Sequence, residues 1–271
     1  MQNKKLIHLQ NFSVKTKQGD FILHKLNFSL YEGETFGLIG ESGSGKSMTA
    51  RAICSLLPES FSVEGRIIRP DNFVASMIFQ EPYASLNPSL KIKTQLKELI
   101  KRKLSLSGKE LKQEVRKWLF KVGLNPDEVE NAHPHQISGG QCQRVMIAMA
   151  LVNMQGKKYR LLIADEATAS LDRESEKHII HLLMSLQKKE QFTMLWISHD
   201  LYRASEICSR MAVMVDGKIL EIFTNSSEAK HEYTKALFAC SPENAKTIES
   251  LQTISKELYE KAKQDALRQV P

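Results

Sequence analysis

The sequence predicts an α/β fold in which buried strands alternate with helices and a helical segment is inserted between two halves of the core. Three observations predict it. Short apolar runs such as Thr35 to Ile39 and Leu161 to Ala164 read as buried strands. Between the first of them and a following helix lies Gly40-Glu41-Ser42-Gly43-Ser44-Gly45-Lys46-Ser47, which fits Gly-x-x-x-x-Gly-Lys-Ser without a gap. From Pro82 onward the texture changes, and apolar residues recur at helical spacing until the α/β pattern resumes at Tyr159.

Composition sets the outer bounds. A chain of 271 residues holds one large domain or two modest ones. Its 42% hydrophobic content is ordinary for a globular protein. Lys plus Arg is 38 and Asp plus Glu is 31, a net charge of +7. That balance suits an acidic nucleotide, a membrane surface or nucleic acid and selects none of them. Much of the excess lies in Lys91 to Lys121 and reads as solvated helix faces. Cys54, Cys142, Cys208 and Cys240 are far apart and form no Cys-x-x-Cys pair, which fits a reducing cytosol rather than a disulfide or zinc framework. Met1 to Phe12 lacks the apolar core of a signal peptide, and no apolar run approaches the ~20 residues needed to span a bilayer. Work at a membrane would therefore require partner chains.

In chain order, Leu6 to Val14 and Phe21 to Leu30 read as strands joined by the turn-like Gln18-Gly19-Asp20. Tyr31 to Glu34 turns into the buried strand Thr35 to Ile39, and Met48 to Leu57 reads as a helix stopped by Pro58. Val63 to Ile68 and Val74 to Phe79 are further strands. Pro82, Pro88 and a Ser/Asn cluster mark a boundary. Ile92, Leu96, Leu99 and Ile100 form one helical face; Leu111, Val115, Trp118, Leu119 and Val122 form another, with Ser107-Gly108 between them. A break from Asn125 to Gln136 precedes a helix running from Gly139 or Gly140 to Asn153. Glu174 to Lys189 and Leu201 to Ser209 read as helices around the strand Phe192 to Ile197. Met211 to Val215 and Lys218 to Phe223 flank Asp216-Gly217, a strong hairpin signal. Glu249 to Val270 carries Leu251, Ile254, Leu258, Ala262 and Ala266 at helical intervals and reads as a peripheral helix.

The chemistry follows from position. Gly43 and Gly45 let the backbone curl so that successive N–H groups point inward, and the next helix adds its positive end. Lys46 can reach β- and γ-phosphates, and the Ser47 hydroxyl can ligate Mg²⁺. Gly40, Glu41, Ser42, Ser44 and Met48 complete the nucleotide-binding stretch. Asp165-Glu166 ends the strand Leu161 to Ala164, at the strand edge where α/β sheets bind ligands. Asp165 can support the metal, and Glu166 can accept a proton from an attacking water.

Ile137-Ser138-Gly139-Gly140-Gln141 resembles the signature sequence of ATP-binding cassette (ABC) proteins. The order of motifs is similar too: glycine loop, Gln80, signature, Asp165-Glu166, Ser170-Leu171-Asp172, then His199. The resemblance covers about residues 6 to 225 and implies a P-loop NTPase of the ABC ATPase type. Such a core has a mixed sheet, an antiparallel β subdomain and an inserted helical subdomain, here at about 86–155, with 226–271 as a C-terminal helical extension. It implies ATP and Mg²⁺ as cofactors. Gln80 then touches the metal and the lytic water. Ser138, Gly139, Gly140 and Gln141 bind the γ-phosphate of ATP held by a facing subunit, so each pocket is complete only when two subunits close head to tail. Asp172 crosses that interface, and His199 contacts the γ-phosphate and orients Glu166.

The stretch Gln80-Glu81-Pro82 followed by Ser85-Leu86-Asn87-Pro88 is similar to the peptide and nickel importer branch, as are Pro134-His135-Gln136 and His231 to Leu237. That branch has proline where this chain has Glu232. It implies a second ABC ATPase subunit in a heterodimer, two transmembrane permease subunits and an external solute-binding protein, with this chain peripheral on the cytoplasmic face of the cell membrane. The short tail leans toward nickel or metal-chelate cargo over peptides.

Several residues depart from the pattern or stand outside it. The aromatic residue that stacks on adenine is replaced by Thr16, with Phe12 and Phe21 nearby, Phe21 being the candidate. Cys142 directly follows the signature, so its modification is expected to slow turnover. His133 with His135, and His178 with His181, invite a metal reading, but the first pair lies in what the resemblance marks as a connector and the second has no third ligand in view. Two other functions share features with this chain. A soluble ABC-type ATPase acting on nucleic acid or in cofactor assembly would have the same core. A small-molecule kinase would share the glycine loop but leave Ser138 to Gln141 and His199 unexplained.

Overall fold

The computed structural model describes residues 4–240 and 254–268. The chain divides into two compact units, Met1–Phe73 with Phe192–Pro271, and Val74–Gln191.

The first unit contains an antiparallel sheet of β1 (Lys5–Lys15), β2 (Phe21–Tyr31) and β4 (Ser62–Ile68), with β1 in the middle. The β1–β2 turn closes through the Thr16 N–H to the Asp20 carbonyl at 2.9 Å, with Gly19 at a φ of +95°. Leu9 and Val14 of β1 and Leu23 and Leu30 of β2 are fully buried, whereas Val63 and Ile68 of β4 are exposed.

A second set of strands in the same unit centres on β3 (Thr35–Ile39), buried at all five positions as its continuous apolar run requires. It is flanked in parallel by β7 (Thr193–Ser198) and β8 (Arg210–Val215), and β9 (Lys218–Phe223) returns antiparallel to β8. The result is mixed, as the resemblance implies. Parallel pairing brings the carboxyl ends of β3 and β7 to one edge, with Ile39 beside Ser198. Below that edge, the half-buried Arg210 guanidinium pairs with Glu34 at 3.0 Å.

Helix α1 (Lys46–Ile53) starts two residues before, and ends four residues before, the span that periodicity predicts. Ser55 adopts a left-handed φ of +58°, and the Leu56 N–H turns back to the Arg51 carbonyl at 2.8 Å. This C-terminal closure stops the helix ahead of Pro58. Helices α8 (Leu201–Ile207), α9 (Glu232–Ala239) and α10 (Lys256–Arg268) complete the unit. The sequence reading missed α9 as a helix. Its N-terminus is capped by the His231 ring, which accepts the Tyr233 N–H at 3.1 Å. The expected terminal helix exists as α10, with Ala262 and Ala266 buried; Leu251 and the outer ends of the expected span lie outside the described residues.

The second unit holds β5 (Phe73–Ile78), which begins at the unit boundary, beside β6 (Tyr159–Asp165). A short helix α2 (Pro82–Ser85) occupies part of the expected boundary, because proline suits the first position of a helix. Helices α3 (Ile92–Leu104) and α4 (Gly108–Lys121) bury the predicted Ile92, Leu96, Ile100 and Val115, Trp118, Leu119. Both pack on α6 (Gly139–Met154), apolar on most of its surface and correspondingly central. A four-residue turn, α5 (Pro126–Val129), precedes α6, and α7 (Arg173–Glu190) follows β6.

Candidate nucleotide site

In the first unit, the glycine stretch leaves the end of β3 and enters α1. Its glycines are there for different steric reasons. Gly43 and Gly45 have φ of +83° and +105°, values that side chains other than glycine rarely adopt. Gly40 has no such conformation, but a Cβ there would lie 2.3 Å from the Met214 carbonyl oxygen of β8. A Cβ on Gly45 would lie 2.8 Å from the Leu23 side chain of β2. The loop is thus pressed against two strands.

Lys46 opens α1 and is buried, with its ammonium donating to the Gly40 and Glu41 carbonyls at 2.7 and 2.8 Å. The cation is therefore held inside the loop it serves. The Ser44 hydroxyl is buried without a hydrogen-bond partner, an orphaned polar atom within the glycine loop. Both features fit an anionic triphosphate. Ser47 and Met48 follow in the first turn, with Ser47 exposed. His199 directly follows β7 and is exposed at the same strand edge. Asp200 caps α8 by accepting the Arg203 N–H at 3.0 Å, which fixes the chain just beyond the histidine.

The loop has a further support that sequence reasoning did not see. The Gly217 N–H donates to the Ser44 carbonyl at 2.9 Å, and the Gly217 carbonyl accepts the His24 N–H at 2.8 Å. The hairpin turn Asp216-Gly217 thus ties the glycine loop to β2. Composition marked that turn only as a turn.

In the second unit, Gln80 follows β5 and is exposed; its carbonyl accepts the Ser170 hydroxyl at 3.4 Å. Asp165 ends β6 and is 9% exposed, and Glu166, the next residue, is half-buried. Glu166 has a left-handed φ of +47°, an unusual conformation for a glutamate and a form of local backbone strain. The chain beyond it is pinned. The buried Gln143 side chain of α6 donates to the Ala167 carbonyl at 2.6 Å, and the Thr168 hydroxyl donates to Glu176 at 3.0 Å. Gln143 was another omission from the sequence reading; a polar residue on the Ile147 and Ala150 face of a buried helix was the available signal.

Ser138 caps α6 reciprocally: its hydroxyl accepts the Gln141 N–H at 3.2 Å, and the Gln141 side chain accepts the Ser138 N–H at 2.9 Å. Gly139 and Gly140 have neither a left-handed φ nor a close neighbour; the nearest atoms to an added Cβ are at 3.8 Å. Tyr83 reaches this region by donating to the Ile137 carbonyl at 3.1 Å. Asp172 caps α7, accepting the Glu174 and Ser175 N–H groups at 3.1 and 2.9 Å. Those bonds, Ser175 first, hold its carboxyl below the usual range.

The ABC transporter family matches residues 23–169, more than half of the chain. The chain belongs to the ABC transporter family. It is 36% identical over 263 residues to the dipeptide transport ATP-binding protein DppD of Bacillus subtilis, covering 88% of this chain and 77% of that protein. It is 38% identical over 251 residues to the oligopeptide transport ATP-binding protein OppF of Haemophilus influenzae, covering 84% and 73%. Against the peptidoglycan transport ATP-binding protein YejF of Agrobacterium fabrum it is 37% identical, with 88% of this chain covered but only 47% of that longer protein. Among solved structures, the dimeric post-hydrolysis state of the ATP-binding cassette MJ0796 bound to ADP and Pi aligns at a TM-score of 0.68 and 26% identity, covering 81% of this chain and 98% of that one. The chain is an ABC-type transport ATPase that uses ATP and Mg²⁺.

Within the family frame, Phe12 is 3% exposed and sits in the core, so it presents no face to a base and Phe21 stays the candidate. Phe21 is 47% exposed, with the Lys15 ammonium 4.4 Å from its ring centre. Cys142 is fully buried, its thiol bonded to the Pro134 carbonyl and pushed up to about 11 by burial. It is therefore shielded from the modification expected to slow turnover. His133 and His135 stack on each other at 5.6 Å.

Proposed function

We propose that this chain is the ATP-hydrolysing subunit of an importer for peptides, working through membrane partners. Of the relatives named above, two are dipeptide and oligopeptide transport proteins and one is a peptidoglycan transport protein, which favours peptides over nickel as the cargo. The observation that carries the reading is the pair of glycine-rich helix N-termini. One, at Gly40 to Ser47, is closed by its own unit; the other, at Ser138 to Gln141, is capped yet sterically open. A helix start whose first two positions carry no side chain leaves room for an anion to approach its N–H groups.

In this reading Gly40 to Met48 take the triphosphate, Ser47, Gln80 and Asp165 serve the metal, Glu166 is the general base, His199 serves the γ-phosphate and Asp172 lies at the interface with a facing subunit. Mg²⁺ supplies neutralisation of phosphate charge when bound. Ser138, Gly139, Gly140 and Gln141 serve the ATP of a facing ATPase subunit, and binding of two ATP molecules closes the pair. Residues 1–225 form the cassette, with 86–155 as its helical subdomain, and 226–271 form an extension.

Among the described residues no helix is long and apolar enough to cross a membrane. The chain would be held on the cytoplasmic face by two permease subunits, served by an external solute-binding protein, beside a second and different ATPase subunit. Affinity purification from membranes tests this. Recovery of two membrane proteins and a sister ATPase is the expected result. Recovery of RNA or DNA without membrane proteins would overturn it in favour of a soluble ABC ATPase.

A further inference from the structure

The phosphate loop has a side-chain partner far along the chain. Tyr233 of α9 is fully buried, and its hydroxyl donates to the Glu41 carboxylate at 2.9 Å across 192 residues. Glu41 is itself exposed and belongs to the glycine loop. Burial first, then the Glu41 hydrogen bond and charge, push the phenol well above its ordinary range, so it stays a donor throughout the neutral range.

The base of this contact is well fixed. Glu221 of β9 accepts the Lys230 and His231 N–H groups at 3.1 and 3.3 Å, which seats the start of α9. Helix α10 braces it: the Tyr259 ring stands edge-on to Tyr233 at 6.1 Å, His231 meets Asp265 at 3.2 Å, and Lys261 pairs with Glu232 at 2.7 Å. Glu232, the position where the sequence departs from its branch, is thus a docking residue for α10. The same helix pairs Lys263 with Asp216 at 3.3 Å, next to Gly217, which holds the Ser44 carbonyl. The loop is supported at Glu41 and at Ser44, and α10 touches both supports.

We propose that Tyr233 is a positioning residue for ATP binding, holding the phosphate loop ready through Glu41. The inference rests on the assignment of Gly40 to Ser47 as the triphosphate site. A loop already ordered before the nucleotide arrives loses less conformational freedom on binding. The bond also keeps the Glu41 carboxylate, an anion in a loop built for anions, committed to α9.

The test is a MgATP titration of the full chain, with steady-state turnover alongside. Tyr233→Phe keeps the ring in the core and removes one donor. Its Kd and KM for MgATP should rise about tenfold, the scale of a hydrogen bond to a charged group, with kcat within about twofold. In a Glu41→Ala background the same substitution should add nothing. In a Glu41→Gln background, where an amide oxygen still accepts, its effect should persist. An unchanged Kd in Tyr233→Phe, or a full additional loss in the Glu41→Ala background, overturns the proposal. Lys46→Ala separates the two levels. If it leaves MgATP affinity intact, the site assignment itself fails; if it weakens affinity while Tyr233→Phe does not, only the role of Tyr233 fails.

Discussion

Two glycine-rich helix starts in this chain look alike in sequence and differ in what their glycines are for. At Gly40 to Ser47, glycine is demanded from within. Two positions take left-handed φ, and a Cβ at Gly40 would strike the Met214 carbonyl at 2.3 Å. At Ser138 to Gln141, nothing in the unit objects to a side chain, since the nearest atoms stand at 3.8 Å. The first loop is a cradle that its own strands press into shape. The second is under no such pressure from its own unit, so under the proposed function its glycines would be read by the facing subunit. A glycine motif alone does not separate these cases; the surroundings of each Cβ position do.

The largest effect is expected from freezing turnover, so that binding at the two glycine regions can be compared alone. Glu166→Gln should retain MgATP binding and lower turnover by ~10²–10⁴, about 3–5 kcal/mol of barrier. A variant with full turnover removes Glu166 from its assigned role. Alanine at each glycine region then gives opposite signatures. Gly40→Ala should destabilise the folded chain by about 1–3 kcal/mol, because the backbone at Met214 must move, and MgATP binding should fall with it. Gly140→Ala should leave the melting temperature unchanged or slightly raised, since alanine favours a helix. Its turnover should nevertheless fall about 10–100-fold through lost access at the helix start. Melting curves and ATPase assays on both variants check the contrast, which breaks if Gly140→Ala melts as early as Gly40→Ala. The smallest effect concerns Cys142, beside the open region but buried. Alkylation of the native chain at pH 8, followed by mass spectrometry, should leave Cys142 and the buried Cys208 unlabelled and turnover unchanged; both thiols are pushed up by burial.

Much of this was legible in the sequence because the relevant residues are neighbours. Gly40 to Ser47 is one contiguous loop, and its strand and helix flank it directly. Ser138 with Gln141 is a capping pair three residues apart. What escaped detection depends on distance or on unusual backbone. Tyr233 and Glu41 share no local pattern, and neither do Gly217 and Ser44. The left-handed φ of Glu166 belongs to a residue type that does not advertise it. The end of α1 was misplaced because a serine, not the expected proline, closes it. Cys142 was singled out by its place directly after the signature, and its burial did not show because α6 is apolar on most of its surface, so periodicity assigns it no face.

The Asp216-Gly217 turn carries a practical corollary. The Gly217 amide proton sits on the Ser44 carbonyl, so its exchange with deuterated solvent would act as a gauge of how often the glycine loop breathes. It also leaves the hairpin no slack. A Cβ on Gly217 would meet the Ile22 carbonyl at 2.3 Å, so any reporter or tag spliced into this bend would be felt in the glycine loop rather than at the periphery.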